Sequence, residues 1–265
     1  VLFRISTAEL WLLVFGVVLG ATVLGLVAGR ALRRHSEHLR GPVGVVQGAL
    51  LALVGLLLAF GLSLALGRYQ DRRSAVVTEA NAIGTTYLRA QTLYEPQRSR
   101  SLALLRSYTD LTIRLSHRTP GSTGFDQTVA AASALQRPLW RLAGESLERA
   151  PDASAPRLYV ETLNEMIDSL TTRTSSLANR VPGPVSSVEL GAAAAGLMIL
   201  ALYLAFVGRG TITVIVAAVL VTLLLLVTFD LDRPVRGLIT VPDTPLVAAR
   251  AEMALPPAAA APTPP

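Results

Sequence analysis

The sequence predicts an all-α, polytopic membrane protein with four transmembrane helices and a helical extramembrane domain inserted between the second and the third. Three observations lead there. Half of the 265 residues are hydrophobic (51%) and the mean hydropathy is positive, which together lie outside the soluble globular range. Four apolar runs are long enough to cross a hydrocarbon core, and they carry few ionisable residues. Between the second and third runs lies a charged stretch whose apolar residues recur at helical spacing.

In order, the N-terminal segment leads into an apolar run from about Leu10 to Ala28, read with residues 1–29 as the first membrane helix. It lacks the small-residue cleavage pattern of a secretory signal, and its Arg cluster follows the apolar run. Trp11 stands at the headgroup level, and Ala21, Gly25 and Gly29 repeat every four residues, a spacing that favours close helix packing. Residues 30–42 form an Arg-rich loop, with Arg30, Arg33, Arg34 and Arg40 against Glu37. The second membrane helix occupies 43–67, and Val45 to Leu66 contains no ionisable residue. Its Gly55, Ala59, Ser63 and Gly67 fall on one face, which is either a packing seam or a pore lining.

Residues 68–187 form the extramembrane domain. No proline follows Leu66 until Pro96, so the second helix is predicted to run on into water, with Arg68, Arg72, Ala75, Glu79 and Thr86 sharing a face. Pro96 then marks a turn. Leu102, Leu105, Thr109 and Thr112 predict an amphipathic helix from Gln97 to about Arg118, ended by Thr119-Pro-Gly-Ser-Thr-Gly124. A further helix over 125–149 turns Val129, Ala132, Leu135, Leu139 and Leu142 inward, with Pro138 predicted to kink or split it. After the loop at 151–156, with Ser154 as a cap and Pro156 in the first turn, Leu163, Ile167, Leu170, Thr174 and Leu177 mark the next helix. Val181-Pro-Gly-Pro184 stops it.

Residues 188–229 read as a membrane hairpin, two apolar runs joined by Gly208-Arg-Gly210. The last run, rich in Leu and β-branched residues, is expected to be the most lipid-exposed. The post-membrane segment 230–247 begins with Asp230, Asp232, Arg233 and Arg236, alternating in sign, and Pro234 with Gly237 is expected to end the ordered chain. The Ala/Pro tail, 248–265, is predicted to be disordered.

The same reading excludes several chemistries. All the basic residues are Arg, spread over helical faces and membrane ends rather than gathered in one patch, so no nucleic acid is expected despite a net charge of +6. The chain has no Cys, and His35, His38 and His117 lack carboxylates at ligand spacing; no metal and no cofactor are expected. Glu161, Glu165 and Asp168 share one side of a helix, the usual pattern of a solvated face. No phosphate loop, nucleophile elbow or zincin motif occurs, and the chain is not expected to be an enzyme.

Residues 51 to 93, together with Phe229-Asp-Leu-Asp-Arg-Pro-Val-Arg-Gly-Leu-Ile239, resemble the bacterial membrane proteins that carry a bestrophin-like domain. A more distant similarity is to bestrophins, pentameric anion channels whose second membrane helix is followed by an Arg-aromatic-aromatic and acidic pattern; Arg68-Tyr69, Arg72 and Glu79 stand in for it. No acidic run resembles the bestrophin calcium clasp, so the resemblance does not extend to calcium gating. It implies a homo-oligomer, pentameric in those channels, embedded in membrane lipid and conducting small anions. The implied pore lining is Gly55, Ala59, Phe60, Ser63 and Gly67. Arg68, Arg72, Arg73, Glu79, Asp230, Asp232, Arg233 and Arg236 would set charge at the pore mouth or tie helices together. The competing reading is a non-conducting scaffold or sensor whose helical domain binds a partner protein.

Orientation rests on two counts that disagree. The short loops, 30–42 and Arg209, hold five Arg against four in the N-terminal segment and tail, which favours an external domain. Counting every Arg close to a membrane end adds Arg68, Arg72, Arg73, Arg173 and Arg180 to the domain side and reverses the result. The resemblance decides for a cytoplasmic domain on a protein of the bacterial inner membrane.

Overall fold

The computed structural model describes residues 6–35, 40–208 and 210–259, and among them it contains helices and no strand. The helices are α1 (Thr7–Ala31), α2 (Arg40–Ala90), α3 (Gln97–Ser116), α4 (Thr123–Arg149), α5 (Ser154–Ala178), α6 (Gly183–Val207), α7 (Thr211–Leu231) and α8 (Thr244–Glu252). Four helical stretches are long and apolar enough to cross a membrane, namely α1, α2, the stretch Ser154–Val207 that ends in α6, and α7. The chain divides into two compact units, Val1–Arg68 with Arg180–Ile239, and Tyr69–Asn179 with Thr240–Pro265.

In the first unit, α1 opens with a capping box. Ser6 Oγ accepts from the Glu9 amide and Glu9 accepts from the Ser6 amide, satisfying donors that a helix start leaves orphaned. Glycines then bring the backbones together. A Cβ on Gly25 would overlap the Met198 carbonyl, and one on Gly29 would lie 2.6 Å from the Ala205 Cβ, so α1 and α6 touch along the predicted small-residue stripe. On its other side α6 meets α2, where a Cβ on Gly196 would come within 3.2 Å of Val54 Cγ2. Leu10, Val14 and Val18 of α1, Val54 and Leu58 of α2, Leu190, Ala193 and Leu197 of α6, and Leu225 and Phe229 of α7 form the core. The α6–α7 reversal uses Gly208 and Gly210 at φ 75° and 100°, conformations that a residue with a Cβ adopts only under strain.

The coverage of these helices corrects one expectation. It is α2, not α7, that the rest of the chain covers least: 17% of its most apolar window is buried, against 33% for α7. α7 packs on both α1 and α6, whereas the packed face of α2 is a narrow stripe through Val54, Leu58, Gly61 and Ala65.

The second unit surrounds the continuation of α2, which remains one helix to Ala90 as the absence of proline predicts. Its core joins Ile83 and Tyr87 of α2 to Leu105 and Tyr108 of α3, Phe125 and Leu139 of α4, and Tyr159, Leu163 and Met166 of α5. α4 is unbroken through Pro138. Leu139, directly after the proline, and Leu142, one turn further on, are buried and hold the helix on that side. Ser154 is the first residue of α5 rather than its cap; Ala153 takes that position without a side-chain bond. Gly183 and Pro184 begin α6 instead of merely ending the preceding segment, since proline suits a first helical turn.

The tail departs most from expectation. Order does not end at Gly237: α8 is folded, Leu246 and Met253 enter the core, and the described chain continues to residue 259. Tyr87 Oη donates to the Met253 carbonyl at 3.1 Å, Arg250 Nε donates to Asp110 Oδ1 at 2.7 Å, and the Ala258 amide donates to Gln91 Oε1 at 2.8 Å. Two apolar side chains and these bonds outweigh an Ala/Pro composition that by itself signals disorder. Residues 260–265 lie outside the described chain.

Candidate functional site

On the membrane part of α2, Gly55, Ala59, Phe60 and Ser63 are exposed and Gly67 is half-buried. A Cβ placed on Gly55 or Gly67 would meet no atom within 4 Å, whereas Gly25, Gly29 and Gly196 are filled by a neighbouring helix. Among the described residues, then, nothing packs closely on Gly55 or Gly67. Two other glycines of α2 do meet α6: a Cβ on Gly44 would lie 3.1 Å from the Tyr203 ring, and one on Gly61 would overlap the carboxylate of Glu189. The spacing of four read from the sequence bypasses Gly61, and Glu189 escapes notice because it stands at the edge of an apolar run.

The charged residues separate into exposed and committed sets. Arg73 and Arg236 are exposed, and Arg68 is half-buried. Arg72 is 1% exposed; its Nη2 donates to the Asn179 carbonyl at 2.8 Å and its Nε to the Ser176 carbonyl at 3.4 Å. These are carbonyls at the C-terminal end of α5, where a helix leaves acceptors unsatisfied and a cation opposes the dipole. Glu79 is fully buried and pairs with Arg173, which also donates to the Thr112 carbonyl at 3.1 Å and to Ser116 Oγ at 2.6 Å. Arg173 thus joins α2, α3 and α5 from inside the core. The sequence placed it at a membrane end, because nothing local distinguishes it from the exposed arginines.

Around the end of α7, Asp230 Oδ2 accepts from the Ile239 amide at 2.8 Å, and Asp232 Oδ2 accepts from the Val181 amide at 3.1 Å. Thr7 Oγ1 donates to the Arg236 carbonyl at 2.6 Å. The Asp-Leu-Asp-Arg-Pro-Val-Arg-Gly segment accordingly fastens the end of α7 to the starts of α6 and α1. Gly237 makes this turn fit, since a Cβ there would lie 2.5 Å from Asp230 Oδ1. Arg233 is buried in the same cluster; burial pulls its guanidinium below the ordinary value, Asp230 opposes that, and Arg236 and Arg180 add to it. Among the described residues no group of three or more His, Asp and Glu side chains is placed to hold a metal.

The sequence profile described as Bestrophin-like domain matches residues 12–246. No curated protein matches the chain. Solved structures do. One crystal structure of a membrane protein is 15% identical with a TM-score of 0.67, covering 91% of this chain and 97% of its own. A crystal structure of a bacterial bestrophin homologue from Klebsiella pneumoniae with a single mutation is 14% identical with a TM-score of 0.67 over the same shares. A further crystal structure of that homologue gives 14% and 0.64, covering 89% of this chain and 94% of its own. At such identities the likeness establishes the fold.

Proposed function

Because the chain belongs to the Bestrophin-like domain family, we propose that several copies assemble around an axis and form a pathway for small anions, lined by the face of α2 that carries Gly55, Ala59, Phe60, Ser63 and Gly67. The observation that carries this reading is the open face itself. Small residues every four positions in a membrane helix serve close approach, yet among the described residues no atom lies within 4 Å of a Cβ placed on Gly55 or Gly67. Lipid would favour larger apolar side chains at these positions; a second copy or a column of water and ions accounts for small ones. A subunit of this size is too thin to enclose a pore alone, so the pathway requires a closed ring of subunits, a pentamer by resemblance.

Arg68 and Arg73 are the cations that would draw anions to the mouth of such a pathway, as rings of Arg do in anion pores. Arg72, Glu79, Asp230, Asp232 and Arg233 act as helix ties that hold the mouth in shape. The helical unit lies on the cytoplasmic side of the inner membrane. Chloride flux into liposomes containing the purified protein tests the proposal. Flux is expected from the unmodified chain and is lost in Gly55→Leu while the oligomer survives. Absence of flux from a folded oligomer would instead favour the scaffold reading.

A further inference from the structure

Glu189 is the one acid of α6, and it is only 6% exposed in the membrane unit. Its carboxylate lies against Gly61 of α2, on ground that any larger residue would occupy. Its Oε1 is buried and accepts no hydrogen bond from the described residues. An ionisable group held this way within a membrane helix is costly, and such groups are retained where they do something. Burial of the carboxylate would be cheaper if a donor reached Oε1, and none of the described residues supplies one.

The space beside it indicates what could. A cavity of about 300 Å3 adjoins Glu189 and Gly61, and its walls are Leu57, Phe60, Leu64, Pro184, Val185 and Val188. Apart from the carboxylate, these walls present hydrocarbon. Two demands follow for an occupant: N–H donors with positive charge at the carboxylate end, and an apolar body along the walls. Inorganic cations fail the second demand, and neutral lipids tails fail the first. A quaternary ammonium satisfies the charge but has no N–H to give.

We propose that Glu189, the open backbone of Gly61 and this cavity form a binding site for a primary ammonium group carried on an apolar body. The same chemistry is offered by an ethanolamine lipid headgroup and by a free alkylamine. The site shares the Phe60 wall with the proposed anion lining, but its test reads amine binding and not flux, so the two readings fail separately.

The test compares dodecylammonium with dodecyltrimethylammonium, which has the same tail and charge but no N–H. Binding to the full chain, reconstituted in choline-lipid nanodiscs, is followed by native mass spectrometry. Dodecylammonium is expected to bind at one per chain, at least about tenfold more tightly than the trimethyl analogue, as a hydrogen bond to a charged group requires. Glu189→Gln, nearly isosteric, removes the difference, and Val188→Trp, on an exposed wall, weakens the primary amine without touching the carboxylate. Repeating the measurement in ethanolamine-lipid nanodiscs separates the sources. Competition by the lipid identifies the headgroup as an occupant, and its absence leaves the free amine. Equal binding of the two amphiphiles, or a preference that persists in Glu189→Gln, overturns the proposal.

Discussion

Arg72 Nη2 lies 2.8 Å from the carbonyl oxygen of Asn179, and Arg72 is a side chain 1% exposed on the long helix closing the C-terminal end of α5. Removing it leaves carbonyls at a helix end without their donor. Arg72→Met is therefore expected to destabilise the helical unit by about 1.5–3 kcal/mol, the range for hydrogen bonds to a charged group. Thermal unfolding of the purified protein measures this. Arg73→Ala, at an exposed position on the same turn, should leave the unfolding temperature in place and lower chloride flux.

The buried pair of Glu79 and Arg173 gives a second prediction. Arg173→Met strands a carboxylate in the core and should cost about 3–5 kcal/mol, whereas Glu79→Leu with Arg173→Met together should cost far less. A double-mutant cycle in thermal stability separates the two. Additive losses would mean that the pair is not coupled.

Glycines on the two membrane helices should respond in opposite ways. Gly25→Leu drives a side chain into the Met198 carbonyl and is expected to cost more than the ~1–3 kcal/mol of ordinary overpacking, seen as lost expression or a lowered unfolding temperature. A Cβ on Gly55 meets no described atom within 4 Å. The subunit fold of Gly55→Leu should be unaffected while conduction is abolished.

The tail offers a fourth test. Leu246 is fully buried, so Leu246→Ala should destabilise the helical unit by about 2–5 kcal/mol and render the chain after Gly237 sensitive to protease. A disordered tail would show no change in stability.

These outcomes trace where the sequence is informative. The course of α2 was legible because an apolar run passes without proline into a charged helical one, and both features are local. The stripe of Ala21, Gly25 and Gly29 was legible for the same reason, but which stripe finds a partner inside the chain depends on helix arrangement. Gly25 meets Met198 and Gly55 meets no described residue, although their neighbourhoods in sequence look alike. Glu79 was picked out by its face, yet its partner Arg173 lies 94 residues away among many arginines. α8 was hidden because its stability comes from burying Leu246 and Met253 in a core built by distant segments. Glu189 gained meaning only once Gly61 was placed beside it.

The most direct measurement of the central claim uses the absence of Cys from the chain. Ser63→Cys would carry the sole thiol of the protein on the proposed lining, and Val219→Cys would place it on an exposed, apolar position of α7. With chloride flux as the readout, a charged, water-soluble methanethiosulfonate reagent is applied to each in liposomes. The account predicts that Ser63→Cys reacts and its flux falls, while Val219→Cys remains unlabelled and conducting. An unreactive Ser63→Cys in a conducting protein would contradict it.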